Sequence, residues 1–320
     1  MIALYITLGV IGGLAILCLL TSLVCFFMTF YSGKRRVLGD GEYDIPKGEP
    51  YQKIKDNIIA WAEQYRSLPH RDFEIKSYDG LTLRARYFEF AKDAPIEILF
   101  HGYRGTGERD LSAGIERCFA LGRSALIVNQ RGAGTSEGRV ITFGIKERRD
   151  CLSWIDFVIK EFGENVKIIL TGISMGATTV LLNADEELPQ NVVCIFGDCG
   201  FSCAKDIIKK VIKDMHLPPN LLYPFVKLGA RLFGGFRLEE KTAVEALKNA
   251  RLPVILIHGD NDDFVPCEMS RIMYEACSSE HKRIHIIKGA GHGICYPTSK
   301  DEYINALKEF AISAGFQKFD

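Results

Sequence analysis

Ser174 lies in Gly172-Ile173-Ser174-Met175-Gly176, between an apolar run at 166–170 and the helix-forming stretch Ala177-Thr178-Thr179-Val180-Leu181-Leu182. A serine on a tight strand-to-helix turn exposes its hydroxyl as a nucleophile for acyl transfer. The two glycines let strand and helix approach closely, and a helix starting at Met175 aims unpaired N–H groups and a positive dipole end at the same point. The pattern recurs at Gly134-Thr135-Ser136-Glu137-Gly138. That copy follows the loop Asn129-Gln130-Arg131-Gly132-Ala133 and no helix begins after it, so it reads as a Gly-rich turn.

A serine nucleophile needs a base, an acid to orient the base, and two N–H groups for the oxyanion. Of seven histidines, His292 sits in Gly289-Ala290-Gly291-His292-Gly293, a flexible loop directly after the last apolar run. It is the expected base. His101 and His258 each close an apolar run before a glycine and read as strand-end residues; His281 and His285 belong to a strand region, and His70 and His216 to loops. The stretch His258-Gly259-Asp260-Asn261-Asp262-Asp263-Phe264-Val265-Pro266 offers three candidate acids, with Asp198 as a competing location. The oxyanion donors are expected from Met175 N–H and from Tyr103 N–H in His101-Gly102-Tyr103-Arg104-Gly105. Arg104 could hold a substrate carboxylate, although a solvated loop arginine is the commoner case.

These residues must be held by a frame, and the hydropathy pattern supplies one. Residues 73–77 and 81–87 alternate with period two around Tyr78-Asp79-Gly80, the signature of a hairpin. Short, wholly apolar runs follow at 96–100, 125–128, 166–170, 192–196, 253–257 and 283–287, with helical patterns at 107–121, 144–162, 177–187, 266–276 and 300–314. That alternation predicts a mostly parallel sheet covered on both faces. More than fifty residues separate the runs at 192–196 and 253–257, enough for a lid that either faces the substrate or packs on the body.

Ile2 to Tyr31 carries no charged residue and exceeds the roughly 20 residues that span a bilayer as a helix. No Lys or Arg precedes it, as a cleaved signal would want, whereas Lys34-Arg35-Arg36 follow at once. Residues 1–32 are therefore expected to form a membrane anchor, 33–70 a linker and juxtamembrane helix, and 71–320 a catalytic domain on the cytoplasmic side. Removing 1–32 is expected to leave an active soluble domain. Ten cysteines show no C-x-x-C pair and fit reduced thiols. Zero net charge excludes an electrostatic case for a nucleic-acid partner.

Taken together, the motifs at His101–Gly105, Arg131–Gly138, Ser174, the aspartate loop and Gly291-His292 resemble the α/β-hydrolase superfamily from about Phe73 onward. Within it the chain looks most like membrane-anchored α/β-hydrolase-domain proteins and the monoacylglycerol-lipase-like or serine-aminopeptidase-like group. The resemblance implies an α/β-hydrolase fold with an eight-stranded sheet and a helical lid at about 201–240. It also assigns the acid to the first aspartate of D-x-x-V-P, here Asp262, and one oxyanion donor to Tyr103. The expected function is a serine carboxylic-ester hydrolase for a lipophilic acyl substrate, with no metal or cofactor. A peptidase or amidase, an acyltransferase, and a silent membrane-bound binding protein are the alternatives; the first would show in lid carboxylates such as Asp206, Asp214, Glu239 and Glu240.

Overall fold

In the computed structural model, which describes residues 1–33, 39 and 41–319, the apolar runs become strands. They are β1 (Arg71–Lys76), β2 (Thr82–Phe88), β3 (Ile96–Phe100), β4 (Ser124–Asn129), β5 (Ile168–Ile173), β6 (Val192–Asp198), β7 (Val254–Gly259) and β8 (Lys282–Ile287). They form one sheet in the order β1-β2-β4-β3-β5-β6-β7-β8. β1 pairs antiparallel with β2 and β2 with β4; the other pairings are parallel. The five-residue turn at 77–81 returns β2 antiparallel to β1, whereas the helical crossovers permit parallel neighbours.

The described helices are α1 (Ile2–Thr29), α2 (Glu49–Lys53), α3 (Lys55–Ser67), α4 (Gly107–Leu111), α5 (Ala113–Ala120), α6 (Glu147–Phe162) and α7 (Met175–Leu181). After β6 come α8 (Ala204–Asp214), α9 (Pro219–Leu232), α10 (Ala243–Leu247), α11 (Glu268–Ala276), α12 (Cys295–Thr298) and α13 (Lys300–Ser313). One sheet face packs Ile98, Leu170 and Leu256 against Trp154 of α6, Val180 of α7, Leu247 of α10 and Met273 of α11. The other packs Ile169, Phe196 and Ile257 against Trp61 of α3 and Tyr303 and Leu307 of α13. Apolar side chains on both faces of each central strand explain why those segments read as unbroken hydrophobic runs. The helix expected from 144 starts at Glu147 because Phe143 and Gly144 have φ of 56° and 96°, outside the helical region.

α1 is long and apolar enough to cross a membrane, and most of its length is uncovered by the rest of the chain. Its C-terminal end is different. Phe26 and Phe30 are buried among Tyr223, Val226 and Ala230 of α9, and a side chain at Gly229 would stand 2.5 Å from Ser22 O. Past the helix, Ser32 N–H donates to Arg139 O and Ile141 N–H to Phe30 O, both at 2.8 Å. The insertion after β6 thus packs on the end of α1. Residues 1–32 are not a detachable unit, because their last third is part of the domain's packing. Lys34, Arg35, Arg36 and Asp40, on which the charge reading turns, lie outside the described residues.

Candidate active site

Ser174 stands between β5 and α7 with φ 55° and ψ −119°, a conformation that costs free energy in any non-glycine residue. The strain persists because the surroundings permit nothing else. A Cβ at Gly172 would overlap Gly176, and one at Gly176 would overlap the Phe100 carbonyl. Strand, turn and helix therefore lock together only with glycine at both positions, as the pentapeptide implied.

His292, in the loop after β8, brings Nε2 to 2.9 Å from Ser174 Oγ and Nδ1 to 2.7 Å from Asp262 Oδ2. With a carboxylate at Nδ1, that nitrogen carries the proton and Nε2 accepts from the serine hydroxyl. Asp262 is buried and fully engaged: Oδ1 accepts from Phe264 and Val265 N–H at 3.0 and 2.8 Å, and Oδ2 accepts also from His258 Nε2 at 3.1 Å. Burial works to raise its pKa, but the donors from His258, His292 and Val265 outweigh it and hold the carboxyl at about 2. Asp262 is thus the loop aspartate that meets His292. Asp260 instead accepts from Gly289 N–H at 2.6 Å, and Asp198 bonds Tyr303.

The loop after β3 passes directly over the serine. A Cβ at Gly102 would stand 3.8 Å from Ser174 Oγ, and Gly102 N–H donates to Asp110 Oδ2 at 3.0 Å. Among the described residues, no other hydrogen bond takes Met175 N–H or Tyr103 N–H. Tyr103 and Arg104 also reach the end of α1: Tyr103 Oη donates to Thr29 O at 2.7 Å, and Arg104 Nη2 to Met28 O and Tyr31 O at 2.9 and 3.1 Å. Arg104 therefore caps the carbonyl end of α1, and its substrate role falls away.

Other candidates settle into structural places. Ser136 is fully buried, accepting from Arg84 N–H at 2.7 Å and donating to Asn129 O, which braces the turn after β4. His101 is buried, accepts from Gln130 N–H at 3.0 Å through Nε2 and bonds Gly102 O at 2.8 Å through Nδ1. His258 does more than end a strand. Its Nε2–H supports Asp262, while Nδ1 accepts from Ser270 at 2.6 Å. Neither this support nor that of Asp110 is legible without the fold, and the same holds for Tyr51, whose hydroxyl donates to His292 O at 2.8 Å. Cys199, Asp262 and His292 bring donor atoms within 4.8 Å of one another. They make no open cage, since His292 and Asp262 are bonded to each other and burial pushes the Cys199 thiol well up.

The site opens into a cavity of about 750 Å³ lined by Ser174, His292, Tyr103, Phe264, and Tyr51, Ile54, Ile58 and Trp61 from α2, α3 and the turn between them. Among the described residues α8 and α9 contribute nothing to it. The segment before β1, expected as linker and juxtamembrane helix, supplies the wall that the lid was one candidate to provide.

Residues 221–298 match the family model described as serine aminopeptidase, S33, a span that includes Asp262 and His292. The uncharacterized protein YqkD of Bacillus subtilis is 25% identical over 299 residues, covering 93% of this chain and 95% of its own. Protein bem46 of Schizosaccharomyces pombe is 23% identical over 234 residues, or 71% of this chain and 72% of its own. The solved structure of the Pyrococcus furiosus esterase Pf2001 superposes with a TM-score of 0.66 at 22% identity, covering 89% of this chain and 98% of that one. Est1E of Butyrivibrio proteoclasticus, solved with ferulic acid, gives 0.57 at 21% identity over 76% and 98% of the two chains. With this sheet order and this strand-to-helix turn, the chain has the α/β-hydrolase fold.

Proposed function

We propose that the protein is a membrane-anchored serine hydrolase that cleaves carboxylic esters of lipophilic acyl groups. One observation carries the reading: the continuous hydrogen-bonded chain from Ser174 through His292 to Asp262, at 2.9 and 2.7 Å. His292 takes the Ser174 proton as the oxygen attacks the carbonyl carbon, and Asp262 stabilises the imidazolium that forms. Met175 and Tyr103 N–H receive the oxyanion. The tetrahedral adduct collapses to an acyl-enzyme as His292 returns the proton to the leaving alcohol. Water, deprotonated by the same imidazole, then releases the acid. The apolar wall of Ile54, Ile58 and Trp61 favours a lipophilic substrate. An aminopeptidase reading finds no support in the lid carboxylates: Asp214 pairs with Lys210, Glu239 with Lys227 and Glu240 with Arg148, while Asp206 meets the Cys203 thiol.

The test is a series of aspartate variants, read by fluorophosphonate labelling and turnover of p-nitrophenyl esters. Asp262→Asn is expected to lower kcat about ten-thousand-fold, because an amide cannot accept from His258, His292 and two backbone N–H groups together. Asp263→Asn should change it little. If Asp198→Asn proves the most damaging of the three, the acid is misassigned.

The docked end of α1 favours an anchor that stays on the chain, since cleavage would strip the apolar face of α9. Lys34-Arg35-Arg36 then hold the domain on the cytoplasmic side. Protease added to intact cells should leave the domain untouched and cleave it after permeabilisation; cleavage from outside would reverse the topology.

A further inference from the structure

α1 is packed by the domain before it is long enough to cross a bilayer. Cys18, Ser22 and Phe26 lie on one face of the helix, the first half-buried and the other two buried, with Gly229 of α9 set against Ser22 and Phe26. Residues 2–17 ahead of that face rise only about 24 Å at the α-helical rise per residue. The hydrocarbon core of a bilayer is about 30 Å thick. On the side away from α9, Val24, Phe27 and Met28 stay exposed, so the apolar surface of α1 runs on to its last turn. A bilayer that covers α1 therefore reaches the helix packed against it.

The makeup of α9 suits that position. It turns Val226 and Gly229 to α1. Beside them Leu221, Phe225, Leu228 and Leu232 recur at i, i+4, i+7 and i+11, a second apolar stripe. The domain leaves this stripe open: Leu221 is 62% exposed and Leu232 50%. Met215 and Leu217, exposed in the turn from α8, extend it. The far side of α9 carries Lys227 and Arg231, both exposed. Over 204–237 seven Lys and Arg stand against two Asp, in a chain whose net charge is zero. An apolar stripe flanked by basic side chains seats a helix at the boundary between headgroups and acyl chains, and draws it to anionic lipid.

We propose that α9 and the turn before it lie in the headgroup layer of the membrane that α1 enters, with the leucine stripe toward the acyl chains and the Lys and Arg side chains on anionic headgroups. The inference rests on the anchor reading and adds a second contact to it. Tyr103 lines the cavity and bonds Thr29 O, so this seating holds the cavity rim at the membrane surface.

The experiment reads depth by fluorescence and needs no turnover, so it stands apart from the ester-hydrolase reading. Full-length protein is reconstituted in vesicles of phosphatidylcholine and phosphatidylserine, with or without bromine on the acyl chains. Single tryptophans are placed by Leu221→Trp, Leu232→Trp, Leu8→Trp on α1, and Lys92→Trp at the opposite edge of the sheet. Trp61 and Trp154 are both buried, and the wild-type protein supplies their background. Brominated lipid should quench the tryptophans of Leu221→Trp and Leu232→Trp at least twofold and leave that of Lys92→Trp unchanged. Quenching in Leu8→Trp without quenching in either stripe variant overturns the seating and spares the anchor; quenching in none of the three removes both. A stripe tryptophan that is blue-shifted yet unquenched, in a protein that runs as a dimer, would assign the face to a second copy and overturn the seating too. Phosphatidylcholine alone should give weaker quenching in the stripe variants, and equal quenching there would overturn the role of the basic side chains.

Discussion

Ser174→Ala is expected to abolish fluorophosphonate labelling and to lower ester turnover about a millionfold, the scale seen when the nucleophile of such a unit is lost. His292→Ala should fall about as far, since each side chain is inert without the other. The size of the effect follows from geometry. The hydroxyl is an ordinary alcohol until His292 Nε2, 2.9 Å away, removes its proton in the transition state. Ser136→Ala is the internal control, because it occupies the second G-x-S-x-G. It should label as wild type while losing about 1–2 kcal/mol of stability, since Ser136 fills two hydrogen bonds in a buried turn. Labelling of Ser174→Ala at the wild-type level would sink the assignment of the nucleophile. So would loss of labelling in a folded Ser136→Ala protein.

Deletion of residues 1–32 is expected to cripple the protein, whereas deletion of 1–20 should leave a folded, active domain. Phe26 and Phe30, kept by the shorter deletion and lost in the longer one, are buried against α9. Each contributes about 1.5–3 kcal/mol on burial, against about 5–15 kcal/mol for the stability of a whole domain. The longer deletion also removes the acceptors for Tyr103 Oη and the Arg104 guanidinium, so the loop over Ser174 loses its outer support. The measurements are thermal denaturation and the ratio of kcat to KM. Loss of stability with lowered kcat is expected for the longer deletion. Equal stability and activity in the two truncations would show that the end of α1 is a passive tether.

How much of this was legible in the chain differs by type of interaction. Strands, helices and the long apolar α1 arise from hydropathy repeated over neighbouring residues, and the period of that pattern is a local property. The elbow was legible for a related reason: Gly172 and Gly176 are required by contacts between segments adjacent in sequence. His292 followed from its glycine-flanked loop after the last strand. Choosing Asp262 over Asp260 and Asp263 came from the resemblance, and its meeting with His292 was decided by the fold.

The remainder belonged to tertiary structure. Tyr51 meets His292 across 241 positions, and Tyr303 meets Asp198 across 105. No periodicity reports such pairs. α3 walls the cavity while α9 packs on α1, because both helices are amphipathic and their composition does not say which apolar surface each will find. Asp198, a plausible acid by strand position, is held away from His292 because its carboxyl is drawn to Tyr303 on the α13 side of the sheet. Local sequence determined which elements form and which residue types stand at the sheet's C-terminal edge. Packing of distant elements decided which of those side chains share a cavity, since burial is satisfied by area and only a folded chain specifies whose area it is.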